Sequence, residues 1–118
     1  MQKKKILIID DDPDILFSLQ ILLEDVGYAV ETSDNDDGLR GPHDALPHLI
    51  LLDLLLSGRD GSEITRQLKS QEQTRHIPII MFSAHPSAGK LVLAAGADDF
   101  LPKPFERAEL LARIACYI

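Results

Sequence analysis

Three times this chain runs through consecutive apolar residues and then stops at a polar one. Ile6-Leu7-Ile8-Ile9 ends at Asp10, Leu49-Ile50-Leu51-Leu52 at Asp53, and Ile77-Pro78-Ile79-Ile80-Met81-Phe82 at Ser83. A strand with one wet face alternates apolar and polar residues, whereas an unbroken run needs cover on both faces. The runs therefore predict strands of a parallel sheet with helices on each side. Two weaker strands are expected at 28–32 and 100–103. Between the strands the period changes. Asp12 can cap a helix, Pro13 fits its first position and Asp14 favours its dipole. Ile15, Leu16, Leu19, Leu22, Leu23 and Val26 then follow helical spacing until Gly27. Residues 62–70 and 106–118 carry similar patterns. Gly38, Gly41 and Pro42 make 36–46 a poor helix, and 86–95 should be a short helix at best. Strand and helix alternate five times, which implies one α/β domain over residues 1–118 with right-handed crossovers.

The chain's 118 residues suffice for a real core, and 45% apolar residues exclude a disordered chain. A formal net charge of -7 argues against a direct nucleic-acid partner. Cys116 is the single cysteine, so no intrachain disulfide can form and a reducing compartment is expected. Lys3, Lys4 and Lys5 before an apolar run faintly resemble a signal segment, but Asp10, Asp11 and Asp12 end the run far too early. The expected location is the cytoplasm, with no membrane partner. His43, His48 and His76 lack metal-like spacing.

In parallel α/β sheets function gathers at the carboxyl ends of the strands. Asp10 and Asp11, Asp53, Ser83 and Lys103 all fall there, each following a different strand. Any one of them is commonplace: a helix cap, a turn serine, a solvated lysine. Their convergence is not. Three neighbouring carboxylates repel one another and raise at least one pKa unless a cation neutralises them. Hard oxygen donors suit Mg²⁺, with Mn²⁺ as an alternative. A carboxylate beside such a metal can attack phosphorus, and the transferred group then needs a lysine and a hydroxyl around it.

Ile6-Leu7-Ile8-Ile9-Asp10-Asp11-Asp12-Pro13-Asp14, Leu49-Ile50-Leu51-Leu52-Asp53 and Asp60-Gly61 resemble the receiver domain of two-component response regulators, of the chemotaxis-regulator kind. Pro78-Ile79-Ile80-Met81-Phe82-Ser83-Ala84, Ala95-Gly96-Ala97-Asp98-Asp99-Phe100-Leu101 and Lys103-Pro104-Phe105 extend the likeness over nearly the whole chain, in order. The resemblance implies a flavodoxin-like five-stranded parallel sheet with five flanking helices. It implies Asp53 as phosphoacceptor, and Mg²⁺ held by Asp10, Asp11, Asp53 and the backbone carbonyl of Leu55. It implies Ser83 and Lys103 as the groups that close on the phosphoryl, a cis Lys103-Pro104 bond, and Phe100 as the aromatic switch. The implied donor is a sensor histidine kinase or a phosphotransfer protein. The implied receiver of the signal is an output domain or a downstream protein, reached through the fourth helix, fifth strand and fifth helix. Such a domain is no conventional enzyme; it catalyses its own phosphorylation and dephosphorylation.

The sequence also departs from the family pattern. Ser57 stands where proline is usual, Gly41-Pro42 interrupts the second helix, the stretch from Ser83 to Gly96 is short, and Phe100 lacks the commoner tyrosine hydroxyl. Leu55 and His85 occupy variable positions flanking the phosphoryl group. Leu55 could screen the acyl phosphate from water or simply pack on its loop, and His85 reads as a surface residue. Two other readings compete. Asp10-Asp11-Asp12 contains the Asp-x-Asp of haloacid-dehalogenase-like phosphatases, though the chain is short for one. A pseudo-receiver acting only through phosphate-independent protein contacts is the other.

Overall fold

In this computed structural model the described residues are 3–35, 46–56 and 59–118. In chain order they form β1 (Lys5–Ile9), α1 (Pro13–Asp25), β2 (Ala29–Ser33), β3 (Leu49–Asp53), β4 (Leu55–Leu56), β5 (Arg59–Asp60) and α2 (Gly61–Ser70). There follow β6 (Ile79–Ser83), a 3₁₀ turn at Pro86–Ala88, α3 (Gly89–Ala94), β7 (Asp99–Pro102) and α4 (Arg107–Tyr117). Five strands make one parallel sheet in the order β2-β1-β3-β6-β7, and β4 with β5 makes a separate antiparallel hairpin. This is the expected flavodoxin-like sheet.

The three unbroken apolar runs supply the three central strands. Successive side chains on a strand point to opposite faces, and two cores result. Leu7, Ile9, Ile50, Leu52, Ile79 and Met81 meet Ile64 and Leu68 of α2 and Val92 of α3 on one face. Ile6, Ile8, Leu49, Leu51, Ile80 and Phe82 meet Leu19 and Leu23 of α1 and Leu110 and Ile114 of α4 on the other. Burying each such side chain contributes roughly 1.5–3 kcal/mol relative to exposure, so every residue of these runs works, on alternate sides. The edge strands β2 and β7 are only partly covered. That explains their weaker apolar signature.

Element ends differ from the sequence reading by one or two residues. The third central strand starts at Ile79, because Ile77 is buried in the turn after α2 and Pro78 has no N–H to give the ladder. The expected short helix at 86–95 is split, with a 3₁₀ turn leading into six residues of α3. Four α-helices lie among the described residues; the poor helix at 36–46 and Ser57 fall largely or wholly outside them.

Helices α1 and α3 end alike. Gly27 and Gly96 have φ of 106° and 105°. In each case the glycine N–H donates to a carbonyl three residues back and the next N–H to one five back: Gly27 to Glu24 and Tyr28 to Leu23, Gly96 to Leu93 and Ala97 to Val92. These paired bonds turn the chain sharply into the next strand.

Candidate phosphoacceptor site

Parallel pairing brings the carboxyl ends of four strands to one edge of the sheet. Asp10 follows β1, Asp53 ends β3, Ser83 ends β6 and Lys103 follows β7. The ladder holds them in step: Asp53 lies opposite Phe82, and the Lys103 N–H donates to the Ser83 carbonyl at 2.8 Å. The Lys103-Pro104 peptide is cis, as the resemblance implied.

The acidic group is built by short-range hydrogen bonds. The Asp12 N–H donates to Asp10 Oδ1 at 2.9 Å, and the Asp14 N–H donates to Asp12 Oδ1 at 2.9 Å, capping α1. Asp10 and Asp53 are buried, with 1% and 8% exposure, while Asp11 is exposed. Oxygens of Asp10, Asp11 and Asp53 lie within 4.8 Å of one another. Lys103 Nζ sits 3.4 Å from Asp10 Oδ2 and 3.6 Å from Asp53 Oδ1, and 4.7 Å above the Phe82 ring. Phe105 meets the same ring edge-on.

Burial pushes the Asp53 carboxyl above its ordinary range; the charge of Asp10 adds to this, while Lys103 and the Leu55 backbone oppose it. Burial likewise raises Asp10, against the Asp12 N–H and Lys103. Among the described residues one ammonium, that of Lys103, faces the two buried carboxylates of Asp10 and Asp53, so that pair carries more negative than positive charge. Three hard oxygen donors around such a deficit fit a small divalent cation, and these acids could hold a metal ion.

The remaining candidates fall into two groups. Ser83 is buried at the same edge, its Oγ accepting the His85 N–H at 3.0 Å. Leu55 stands in β4 with 58% exposure, immediately beyond the acids. Phe100 lies further off, half-buried against the core beside Gly89. The exposed His85 touches Ser83 through its backbone. His48 belongs to the opposite end of the sheet, where Nδ1 accepts the Lys5 N–H at 3.0 Å. His43 lies outside the described residues.

Two features escaped the sequence reading. Lys69 Nζ donates to the carbonyls of Arg75 and Ile77 and to Asp98 Oδ2, which also accepts the Ile79 N–H at 2.8 Å. This ties α2, β6 and the start of β7 together. No local pattern announces a lysine whose partners are distant in sequence. The second feature is an open groove of about 460 Å³ beside the acids, lined mainly by Ile15, Leu19, Ala84, Lys103, Pro104 and Phe105. It joins three segments of the chain that the sequence separates widely.

Residues 6–115 match the family model described as the response regulator receiver domain. The DNA-binding dual master transcriptional regulator RpaA of Synechocystis is 41% identical over 115 residues, which are 93% of this chain and 47% of RpaA. The chain thus spans about half the length of the curated relatives it matches. A crystal structure of a putative response regulator from Chloroflexus aurantiacus superposes with a TM-score of 0.90 at 31% identity, covering 98% of each chain. The receiver domain of a sensor histidine kinase from Pseudomonas aeruginosa, with a magnesium ion coordinated in its active-site cleft, gives 0.87 at 31% identity, again covering 98% of each.

Proposed function

The chain belongs to the response regulator receiver-domain family, and from that premise we propose that Asp53 accepts a phosphoryl group from a phosphohistidine. The observation that carries this reading is the shared position of Lys103, within 4 Å of both buried carboxylates, Asp10 and Asp53, at the strand-end edge. An Asp53 carboxylate oxygen attacks phosphorus and the histidine nitrogen leaves. Lys103 is already at the site and can follow the developing charge from the carboxylates to the phosphoryl oxygens. The Ser83 hydroxyl accepts from the His85 N–H, so its own proton can be donated to a phosphoryl oxygen. A Mg²⁺ ion held by Asp10, Asp11, Asp53 and the Leu55 carbonyl would supply the rest of the charge neutralisation, and Mn²⁺ could stand in for it.

The donor is a sensor histidine kinase or phosphotransfer protein, and the groove beside Lys103 leaves an open surface next to the site for its approach. Phosphorylation biases the face made by α3, β7 and α4 through Ser83 and Phe100, and an output domain or downstream protein reads that face. The relatives' greater length supports a fused output domain. Among the described residues no helix is long and apolar enough to cross a membrane; with the single cysteine this supports a cytoplasmic location.

Intact mass after incubation with acetyl phosphate tests the chemistry. One phosphoryl mass should be gained only with Mg²⁺ and only with Asp53 intact. A chain that binds Mg²⁺ yet never gains that mass would be a pseudo-receiver instead.

A further inference from the structure

The first residue of α2 presses on the backbone of the proposed phosphoacceptor. A methyl group on Gly61 would collide with the Asp53 carbonyl oxygen, and would lie 2.9 Å from Met81 Cε and 3.0 Å from Leu54 Cα. Met81 Cε is the free end of a flexible side chain and can swing away. The other two atoms are backbone. The Gly61 N–H meanwhile donates to the Leu54 carbonyl at 2.6 Å, so helix and strand end are bonded as well as packed.

The start of α2 has little room to retreat. Asp60 Oδ1 accepts the Ser62 N–H at 2.8 Å and the Ser62 hydroxyl at 2.6 Å, and the buried Thr65 hydroxyl donates to the Gly61 carbonyl at 2.9 Å. Ile64 and Leu68, one and two turns on, are locked in the core. On the other side, the Leu54 N–H donates to the Phe82 carbonyl at 3.0 Å. The Asp53–Leu54 peptide is therefore clamped between β6 and the first turn of α2, at the point where β3 ends.

We propose that Gly61 is a positioning residue for phosphoryl transfer: its bare α-carbon sets where the Asp53–Leu54 peptide lies, and so the aim of the Asp53 carboxylate and the Leu55 carbonyl. The proposal rests on the receiver reading of Asp53. A side chain at residue 61 forces the start of α2 and that peptide apart, because α2 is held by its cap and core contacts while β6 holds the peptide from the other side. Asp60→Ala acts on the same clamp in the opposite sense. It adds no atom near Asp53 but unties the turn that presses on it.

The test compares wild type, Gly61→Ala and Asp60→Ala well below their melting temperatures. Phosphoryl uptake from acetyl phosphate is followed at saturating Mg²⁺, and Mg²⁺ affinity by titration calorimetry. An ångström-scale displacement of a reacting group costs about 100-fold in rate, so Gly61→Ala should lose uptake on that order and bind Mg²⁺ more weakly while its circular dichroism stays native. Asp60→Ala should lose both in the same direction by a smaller factor. A folded Gly61→Ala with wild-type rate and affinity overturns the proposal. Should Gly61→Ala not fold, a wild-type rate and affinity in Asp60→Ala overturns it. Failure of the wild type to gain phosphoryl mass would instead sink the receiver chemistry, leaving the Mg²⁺ affinities to decide the role of Gly61.

Discussion

Two of the connections that leave the carboxyl edge of the sheet for helices are made differently. Between β1 and α1 each step is fixed by a side chain: Asp10 accepts from Asp12, Asp12 caps α1, and Pro13 opens its first turn. Between β6 and α3 neither the 3₁₀ turn nor the six-residue helix has a side-chain cap. Among the described residues the start is spanned by one bond to a side chain, His85 N–H to Ser83 Oγ, and by the backbone bond from Ala88 to His85. Preorganised carboxylates cost nothing to arrange at the moment of transfer. A weakly capped, short helix costs little to rearrange afterwards. On the proposed reading, chemistry draws on the stiff connection and signalling on the soft one.

The largest test of this contrast removes the nucleophile. Asp53→Asn should abolish phosphoryl uptake, and by relieving repulsion it should raise the metal-free melting temperature by several degrees. Calorimetry that shows no rise would mean the acids are not clustered as the structure has them.

Acidity gives the next effect. Burial raises both Asp53 and Asp10, so the folded chain binds protons more tightly than the unfolded one. Metal-free stability from these two groups is therefore greatest in acid, and declines as pH rises from roughly 4, the ordinary carboxyl range, through the raised values. Mg²⁺ binding should release protons over the same window and weaken as pH falls through it. Titration in two buffers of different ionisation enthalpy measures that release, and its absence would contradict the burial of the pair.

Leu55 sharpens the picture at the stiff end. Its side chain is exposed two residues beyond Asp53, and Leu55→Asn should speed hydrolysis of the acyl phosphate several-fold by admitting water. An unchanged lifetime would leave Leu55 as loop packing only. The smallest effect compares the two connections directly. Asp12→Ala should cost about 1 kcal/mol through loss of the cap, whereas His85→Ala should stay within about 0.5 kcal/mol, as ordinary exposed sites do. Equal losses in urea melts would erase the distinction.

Much of this was legible because local rules and the fold agree. The unbroken runs at 6–9, 49–52 and 77–82 announced strands covered on both faces, the third beginning two residues late in the structure, and Asp12-Pro13-Asp14 announced the start of α1 within a residue. The carboxyl-end rule then gathers Asp10, Asp53, Ser83 and Lys103 from sequence alone. The β4–β5 hairpin was not legible: Leu54-Leu55-Leu56 looks like more strand, and only the pairing of Leu55 with Asp60 reveals the reversal. Nor was the pressure of Gly61 on Asp53, because Asp60-Gly61 reads equally well as an ordinary turn. The Lys69–Asp98 tie joins residues that no periodicity links. What the sequence hides is contact between distant segments.

The imbalance of charge at the acids also governs how donors arrive. Among the described residues Lys103 is the one cation within 4 Å of both Asp10 and Asp53. With two buried carboxylates facing it, the metal-free edge should repel an approaching phosphate over roughly a Debye length, about 8 Å at physiological ionic strength. Added salt would then speed encounters by screening that repulsion. Once a divalent cation offsets it, the same salt should matter little or slow the approach. The sign of the ionic-strength dependence becomes a kinetic signature of whether the site is loaded when a donor meets it.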